Sequence, residues 1–139
     1  MPANQIIKGL YIGDLNDARA AIGKVDVMVC VLERLTYQPI EGELVIPIAK
    51  MSTHDWMLAS VSKLDKVAAL IHKTLRAGKT IMVHCEAGME RSPLAVMWYL
   101  YRYRHMSLEE AYKFVKARRR QTQWCLDWLP NYHPSLKYA

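Results

Sequence analysis

The sequence predicts a single α/β domain, with a mostly parallel central sheet of about four to five strands flanked by helices. Three observations carry that prediction. Short apolar runs alternate with segments of helical period along the chain, as strand–helix–strand units do. One run, "VDVMVCVL" (25–32), is apolar or β-branched almost throughout, which suits a strand buried on both faces. The length of 139 residues, 52% of them hydrophobic, fits one ordinary domain whose core needs no staples.

Taken in order, "GLYIG" (9–13) reads as a first strand edged by glycines. "DLNDARAAIG" (14–23) follows as a short helix closed by Gly23. After the strand at 25–32, "ELVIPI" (43–48) is another, ended by Pro47. The loop "AKMST" leads to a helix expected to open at His54-Asp55, with Ser52 or Thr53 as its cap. Leu64, Val67, Ala68, Ile71 and Leu75 recur at helical spacing, and Gly78 stops that helix. "TIMVHC" (80–85) is the next strand. "SPLAVMWYLYRYRH" (92–105) is a helix with Pro93 in its first turn, where a missing N–H is harmless. "SLEEAYKFVKARRRQ" (107–121) opens with Ser107 and Glu110 at capping-box spacing. "TQWCLDWLP" (122–130) adds a last short helix, on which Trp124 and Trp128, four apart, are expected to pack inward.

Composition excludes several classes of function. The opening "MPANQIIKGLYIG" has no basic segment followed by a long apolar one, so no signal peptide is expected. No apolar stretch reaches the roughly 18 residues of a spanning helix. The expected setting is the cytoplasm, with no membrane partner. The formal net charge of +6 favours anionic partners in general. Its densest run, "KARRR" (116–120), reads as a solvated helix face, and one such run does not make nucleic acid an expected partner. The three cysteines, Cys30, Cys85 and Cys125, show no CxxC spacing, so neither a disulfide framework nor a zinc site is expected. No metal and no cofactor is called for. A cysteine beside a histidine in such a chain is instead a candidate nucleophile.

That cysteine ends the strand 80–85, and Arg91 opens the next helix. The loop between them, Cys85, Glu86, Ala87, Gly88, Met89, Glu90 and Arg91, is a candidate anion cradle. Free N–H groups and the dipole at a helix N-terminus favour a negative charge. Intervening N–H groups can curl inward as a nest, and Gly88 lets the backbone bend. Arg91 adds a planar fork that matches two phosphate oxygens. The same positive field favours the thiolate form of Cys85. A sulfur nucleophile at the floor of an oxyanion cradle is fit to attack a phosphoryl group. Taken singly, each residue has a plainer reading: Cys85 a buried strand thiol, Arg91 a surface ion pair, Ser92 a helix cap. The joint pattern outweighs those readings.

"VHCEAGMERS" resembles the His-Cys-five-residues-Arg-Ser/Thr signature of the cysteine-based protein phosphatases. "LYIGDLNDA", with the strand and helix spacing that follows, is similar to their small dual-specificity branch. The resemblance runs from about Leu10 to Arg120. It implies a phosphocysteine intermediate, no metal, and a phosphorylated protein as substrate. It implies that Cys85 is the nucleophile and that Arg91 binds the phosphoryl oxygens and the transition state. Ser92 would donate a hydrogen bond to the sulfur and help it leave in the second step. His84 would orient the loop and tune Cys85 from behind, without acting as a base. The chain is expected to act as a monomer.

The family takes its general acid from an aspartate on a loop after a strand ending in Ile-Pro. Here that stretch is "VIPIAKMSTHDW", and Lys50 and its neighbours stand where the aspartate is usual. Asp55 lies 30 residues before Cys85, close to the family's separation, and is assigned as the acid on a longer loop. An aspartate in a helix's first turn also complements the dipole without any catalytic role. His54 is the next candidate acid; Asp14 and Asp17 read better as turn or cap residues. Glu86 and Glu90 should repel highly anionic substrates, which argues against phosphoinositides and RNA triphosphate ends. Glu90 paired with a nearby arginine, merely holding the loop, is the plainer alternative. The short chain suggests a shallow pocket, with Tyr11, Trp56 and Met89 as candidate rim residues, each of which reads equally well as core. Cys30 and Cys125 read as inert core thiols; an oxidised Cys30–Cys85 pair protecting the thiolate is the alternative. Competing functions are a phosphate-binding pseudo-phosphatase, an RNA 5′-phosphatase, and a sulfur-transfer or arsenate-reducing enzyme.

Overall fold

The computed structural model describes residues 3–31, 42, 44–46, 60–85, 90–129 and 132. Five strands form one sheet: β1 (Asn4–Ile7), β2 (Leu10–Gly13), β3 (Val27–Cys30), β4 (Leu44–Val45) and β5 (Ile81–His84). Their spatial order is β1-β2-β5-β3-β4. β2, β5, β3 and β4 are mutually parallel, and only β1 runs antiparallel, against β2. The expected α/β class and strand number are found. The edge strand β1, which the sequence reading passed over, pairs through a two-residue turn at Lys8-Gly9, where Gly9 takes φ +85°. That left-handed conformation suits glycine.

Among the described residues four helices cover the sheet: α1 (Leu15–Ala20), α2 (Val61–Arg76), α3 (Arg91–Tyr103) and α4 (Leu108–Arg118). A 3-10 turn, Leu126–Trp128, replaces the last expected helix. The two faces are covered unequally. Leu64, Val67, Ala68 and Ile71 of α2, most of α3, and Ala111 and Val115 of α4 pack with Leu10, Ile12, Ile81 and Val83 in the main core. On the other face α1 contributes Ala18, which packs with Ala21, Met28 and Met82. The alternation along β5 follows from the two-residue period of a strand. α3 is buried without interruption from Ser92 to Leu100, as expected of a central helix with neighbours on all sides. Each large side chain so buried contributes about 1.5–3 kcal/mol relative to exposure.

The expected caps are found at two helices. Ser107 Oγ accepts from Glu110 N at 3.1 Å, and Ser107 N donates to Glu110 Oε1 at 2.9 Å. Asp14 and Asp17 form a second capping box on α1, with both bonds at 2.8 Å. α2 corrects the sequence reading. It opens at Val61, not at His54-Asp55, and its cap is Ser60, whose Oγ accepts from Lys63 N at 3.4 Å. The expected caps Ser52 and Thr53 lie outside the described residues. Ser60 was passed over because several hydroxyls precede the apolar stripe, and capping chemistry alone does not choose among them.

Two further expectations are corrected. Lys116, Arg118 and Arg120 are exposed, but Arg119 is only 1% exposed. α4 ends at Arg118, and Arg119 turns to extended backbone (φ −133°, ψ 93°), which carries its side chain under the sheet edge. Trp124 is 41% exposed rather than packed inward. Its ring meets the edges of Tyr112 and Tyr132 at the surface. Trp124 lies in irregular backbone before the 3-10 turn, so helical spacing does not set the direction of its side chain.

Candidate active site

Parallel sheets place ligands beyond the carboxyl ends of their strands. β5, the middle strand, ends at His84, paired with Gly13 of β2 and Cys30 of β3. Val31 N donates to His84 O at 2.8 Å, so the ladder holds the chain up to the residue before Cys85. A side chain at Gly13 would meet Asp17 Cβ at 2.7 Å. Only glycine there lets α1 close against the end of β2.

Cys85 is 4% exposed, and its Sγ lies 3.2 Å from Ser92 Oγ, itself fully buried. Ser92 stands in the first turn of α3, one residue after Arg91. The helix is closed at that end by Leu94 N donating to Glu90 O at 2.9 Å, with no side-chain cap. The first N–H groups of α3 therefore keep their affinity for an anion. Arg91 Nε is buried and has no hydrogen-bond partner among the described residues. A buried guanidinium N–H without an acceptor is costly unless a ligand supplies one. Sulfur, hydroxyl and helix terminus thus stand together, with Arg91 opening the helix, and the arrangement can hold an oxyanion against the sulfur.

Of the residues singled out in the sequence, Cys85, Ser92, Arg91, Glu90 and His84 come together at this end of β5. Glu86, Ala87, Gly88 and Met89 of the loop lie outside the described residues, as do His54, Asp55 and Trp56. Tyr11 takes the core reading rather than the rim one, packed against the small cluster under α1. It lines a cavity of about 130 Å³ beneath α1 with Asp17 and Lys24, because its position in β2 points it to the α1 face. Cys125 is fully buried and its thiol donates to Glu90 O at 3.5 Å. Burial pushes that thiol well above the ordinary range, and Glu90, Asp127 and Cys85 push it further. It stays protonated and anchors the exit of the loop. Among the described residues, no group of three histidine, cysteine or acidic side chains is placed to hold a metal ion.

One residue near the site was missed. Arg119 Nη1 donates to Asn4 Oδ1 at 2.8 Å and to the carbonyl of Ile12 at 3.2 Å, on strand β2 beside β5. The sequence did hold a signal. Ala111, Val115 and Arg119 are spaced by four, and the first two are the buried positions of α4.

The dual specificity phosphatase catalytic domain matches residues 11–126 of this sequence. The chain belongs to that family. It is a cysteine-based phosphatase. The 123R protein of Invertebrate iridescent virus 6, which bears the name of a tyrosine phosphatase, is 31% identical over 121 residues, covering 86% of this chain and 81% of the viral one. The phosphatidylglycerophosphate phosphatase PTPMT2 of Arabidopsis thaliana is 36% identical over 85 residues, covering 60% of this chain and 35% of its own. The crystal structure of human DUSP28 superposes with a TM-score of 0.75 at 24% identity, covering 99% of this chain and 96% of that one. At that identity the superposition speaks for the fold, and the dual-specificity fold is the one expected. No helix among the described residues is long and apolar enough to cross a membrane.

Proposed function

We propose that this phosphatase hydrolyses phosphotyrosine, and also phosphoserine and phosphothreonine, in proteins through a phosphocysteine intermediate. The observation that supports it most directly is the 3.2 Å approach of Cys85 Sγ to Ser92 Oγ at the head of α3. In this reading the Cys85 thiolate attacks phosphorus while Arg91 and the loop N–H groups take up the charge on the equatorial oxygens. The bond from phosphorus to the ester oxygen breaks, and that oxygen takes a proton from Asp55. The Asp55 carboxylate then receives a proton from the attacking water. The sulfur leaves as thiolate, accepting the Ser92 hydroxyl proton in a hydrogen bond, and inorganic phosphate is released. His84 holds the loop from behind. One catalytic domain, acting as a monomer in the reducing cytoplasm, completes the reading; thiolate chemistry is best preserved there.

The acid and the second step can be tested separately. Asp55→Asn should lower kcat about 10²–10⁴-fold for phosphotyrosine. With nitrophenyl phosphate, whose leaving group needs no proton, the loss should be slight. Rates measured from about pH 4 to 8 should lose their basic limb only with phosphotyrosine. A silent Asp55→Asn assigns the acid elsewhere, with His54 next to be replaced. Ser92→Ala removes a hydrogen bond to a charged sulfur, so thiolate departure should slow about ten- to hundredfold. Stopped-flow traces should then show a burst of one equivalent of nitrophenol followed by slow turnover. A loss with no burst would place Ser92 in the first step. If the wild type turns over nothing and still binds vanadate, the chain is a phosphate-binding module. If it prefers phosphatidylglycerophosphate to phosphopeptides, the lipid named for the plant relative is the better substrate class.

A further inference from the structure

We propose that the groove at the amino ends of β2 and β5, at the opposite end of the strands from Cys85, docks an extended acidic segment of a partner protein. Two hollows make the groove. One, of about 510 Å³, is lined by Gln5, Lys8, Leu75, Lys79 and Thr80 among others. The other, of about 190 Å³, is lined by His72, Leu75, Arg76, Tyr99, Tyr103 and Arg104. Leu75 belongs to both, so the hollows adjoin across one apolar side chain, and no lining residue of either is acidic. Leu10 pairs with Ile81 at this end, and the chain from Ile81 to Cys85 spans about 13 Å. The groove is therefore separate from the phosphate cradle.

Its walls are preformed. Leu75 Cδ2 lies so close over Gly9 that an added Cβ there would stand 3.0 Å from it. Ile81 N donates to Gly9 O at 2.8 Å, and Lys79 N to Thr74 O at 3.1 Å. The turns that carry Lys8 and Lys79 are thus fixed against the end of α2, and docking need not order them. Arg104 Nε donates to Tyr99 Oη at 2.9 Å, which holds that guanidinium beside the second hollow, where its terminal nitrogens can pair with a carboxylate. Against these four cations stand the carboxyl ends of α2 and α3, about half a negative charge each. Asp26 adds one more; it accepts from Thr80 N at 2.8 Å and from Thr80 Oγ1 at 3.1 Å and acts on Lys79. Together they offset about two of the four positive charges, and the remainder favours an anionic partner. Shape and chemistry select among anions. Single-stranded nucleic acid needs aromatic faces on which bases stack. Tyr103 already stacks on His72 at 4.4 Å and on Tyr99 at 5.7 Å, and Tyr99 is 1% exposed, so these rings serve each other. A membrane surface takes a protruding apolar face, whereas Leu75 floors a hollow between cations. A strand of acidic residues suits a concave, apolar-floored, basic-walled groove.

The test is fluorescence anisotropy of a labelled hexaglutamate peptide with the full chain. The peptide carries no phosphate, so its binding does not depend on the proposed reaction. The triple variant Lys8→Glu, Arg76→Glu, Lys79→Glu changes three exposed side chains. It should weaken binding at least about tenfold, since each exposed pair is worth up to about fivefold. A control triple, Lys66→Glu, Lys113→Glu, Arg120→Glu, makes the same change of net charge at exposed positions outside the groove. Distance and salt should hold its loss below about twofold. Vanadate, which fills the Cys85 cradle, should leave the peptide bound. Equal losses in the two triples would reduce the binding to net charge and overturn the proposal. Absence of binding to the wild type at physiological salt would overturn it, as would displacement by vanadate. Tighter, groove-dependent binding of oligouridine, or of vesicles of phosphatidylserine and phosphatidylcholine, would name a different occupant and overturn it as well. If the reversed triple does not fold, Lys8→Gln, Arg76→Gln, Lys79→Gln decides: a loss of about fivefold or more is expected, and an unchanged affinity is the contrary result.

Discussion

Replacing Cys85 by serine will remove turnover while leaving the fold intact. The loss should be about 10⁴-fold or more, the range seen when a covalent nucleophile is deleted. A serine hydroxyl is a far weaker nucleophile at neutral pH than a thiolate. The substitution is nearly isosteric, and the Ser92 hydroxyl can bond oxygen as well as sulfur. Stability should therefore change by no more than about 1 kcal/mol, within the range of a volume-conserving swap. The variant should still bind vanadate or a phosphopeptide, because Arg91 and the head of α3 are untouched. Isothermal titration with a phosphotyrosine peptide, beside a rate assay, separates the two. Residual activity above about one hundredth of wild type would mean that another group attacks phosphorus. Loss of binding together with activity would mean that the loop needs the sulfur for its shape.

Much of this was legible in the sequence, for identifiable reasons. The 25–32 strand and the Ser107–Glu110 box were readable because one local rule governed each, burial on both faces or a reciprocal pair of bonds. The Cys85–Arg91–Ser92 constellation was readable because its chemistry demands a fixed spacing between a strand end and a helix start. What failed depended on contacts distant in sequence. Whether Arg119 is solvated depends on Asn4, 115 positions away, and no local window contains that pairing. β1 is a short edge strand without a full alternation, and only its pairing with β2 defines it. Trp124 was misplaced because helical spacing was assumed for a stretch that is irregular, with a 3-10 turn only from Leu126. Asp55 illustrates a different limit. Its distance from Cys85 along the chain fits a general acid, but chain separation does not fix where a loop residue stands in space.

Arg91→Lys is the second large effect, and it distinguishes shape from charge. Lysine keeps the positive charge near the head of α3 but offers a point cation in place of a planar fork. In the ground state a phosphate monoester tolerates that change, since one strong contact and the helix N–H groups remain. In the transition state, charge spreads over three equatorial oxygens in a plane, and two parallel N–H bonds match them where a single ammonium does not. The interaction is therefore stronger as the reaction proceeds, and losing it should fall on kcat more than on KM. A drop of about 10²–10³-fold in kcat is expected, the scale of removing one oxyanion donor, with KM rising less than about tenfold. The helix should not suffer. Arg91 is its first residue and supplies no cap, and among the described residues its Nε makes no bond that lysine would forfeit. That Nε has no partner among the described residues fits a fork kept for a ligand. Affinity for vanadate, which approaches the transition-state geometry, should fall in step with kcat, while affinity for phosphate falls less. Equal losses for the two anions would mean that Arg91 serves only to attract negative charge, and a variant retaining more than about a tenth of wild-type kcat would move the transition-state contact to the loop N–H groups.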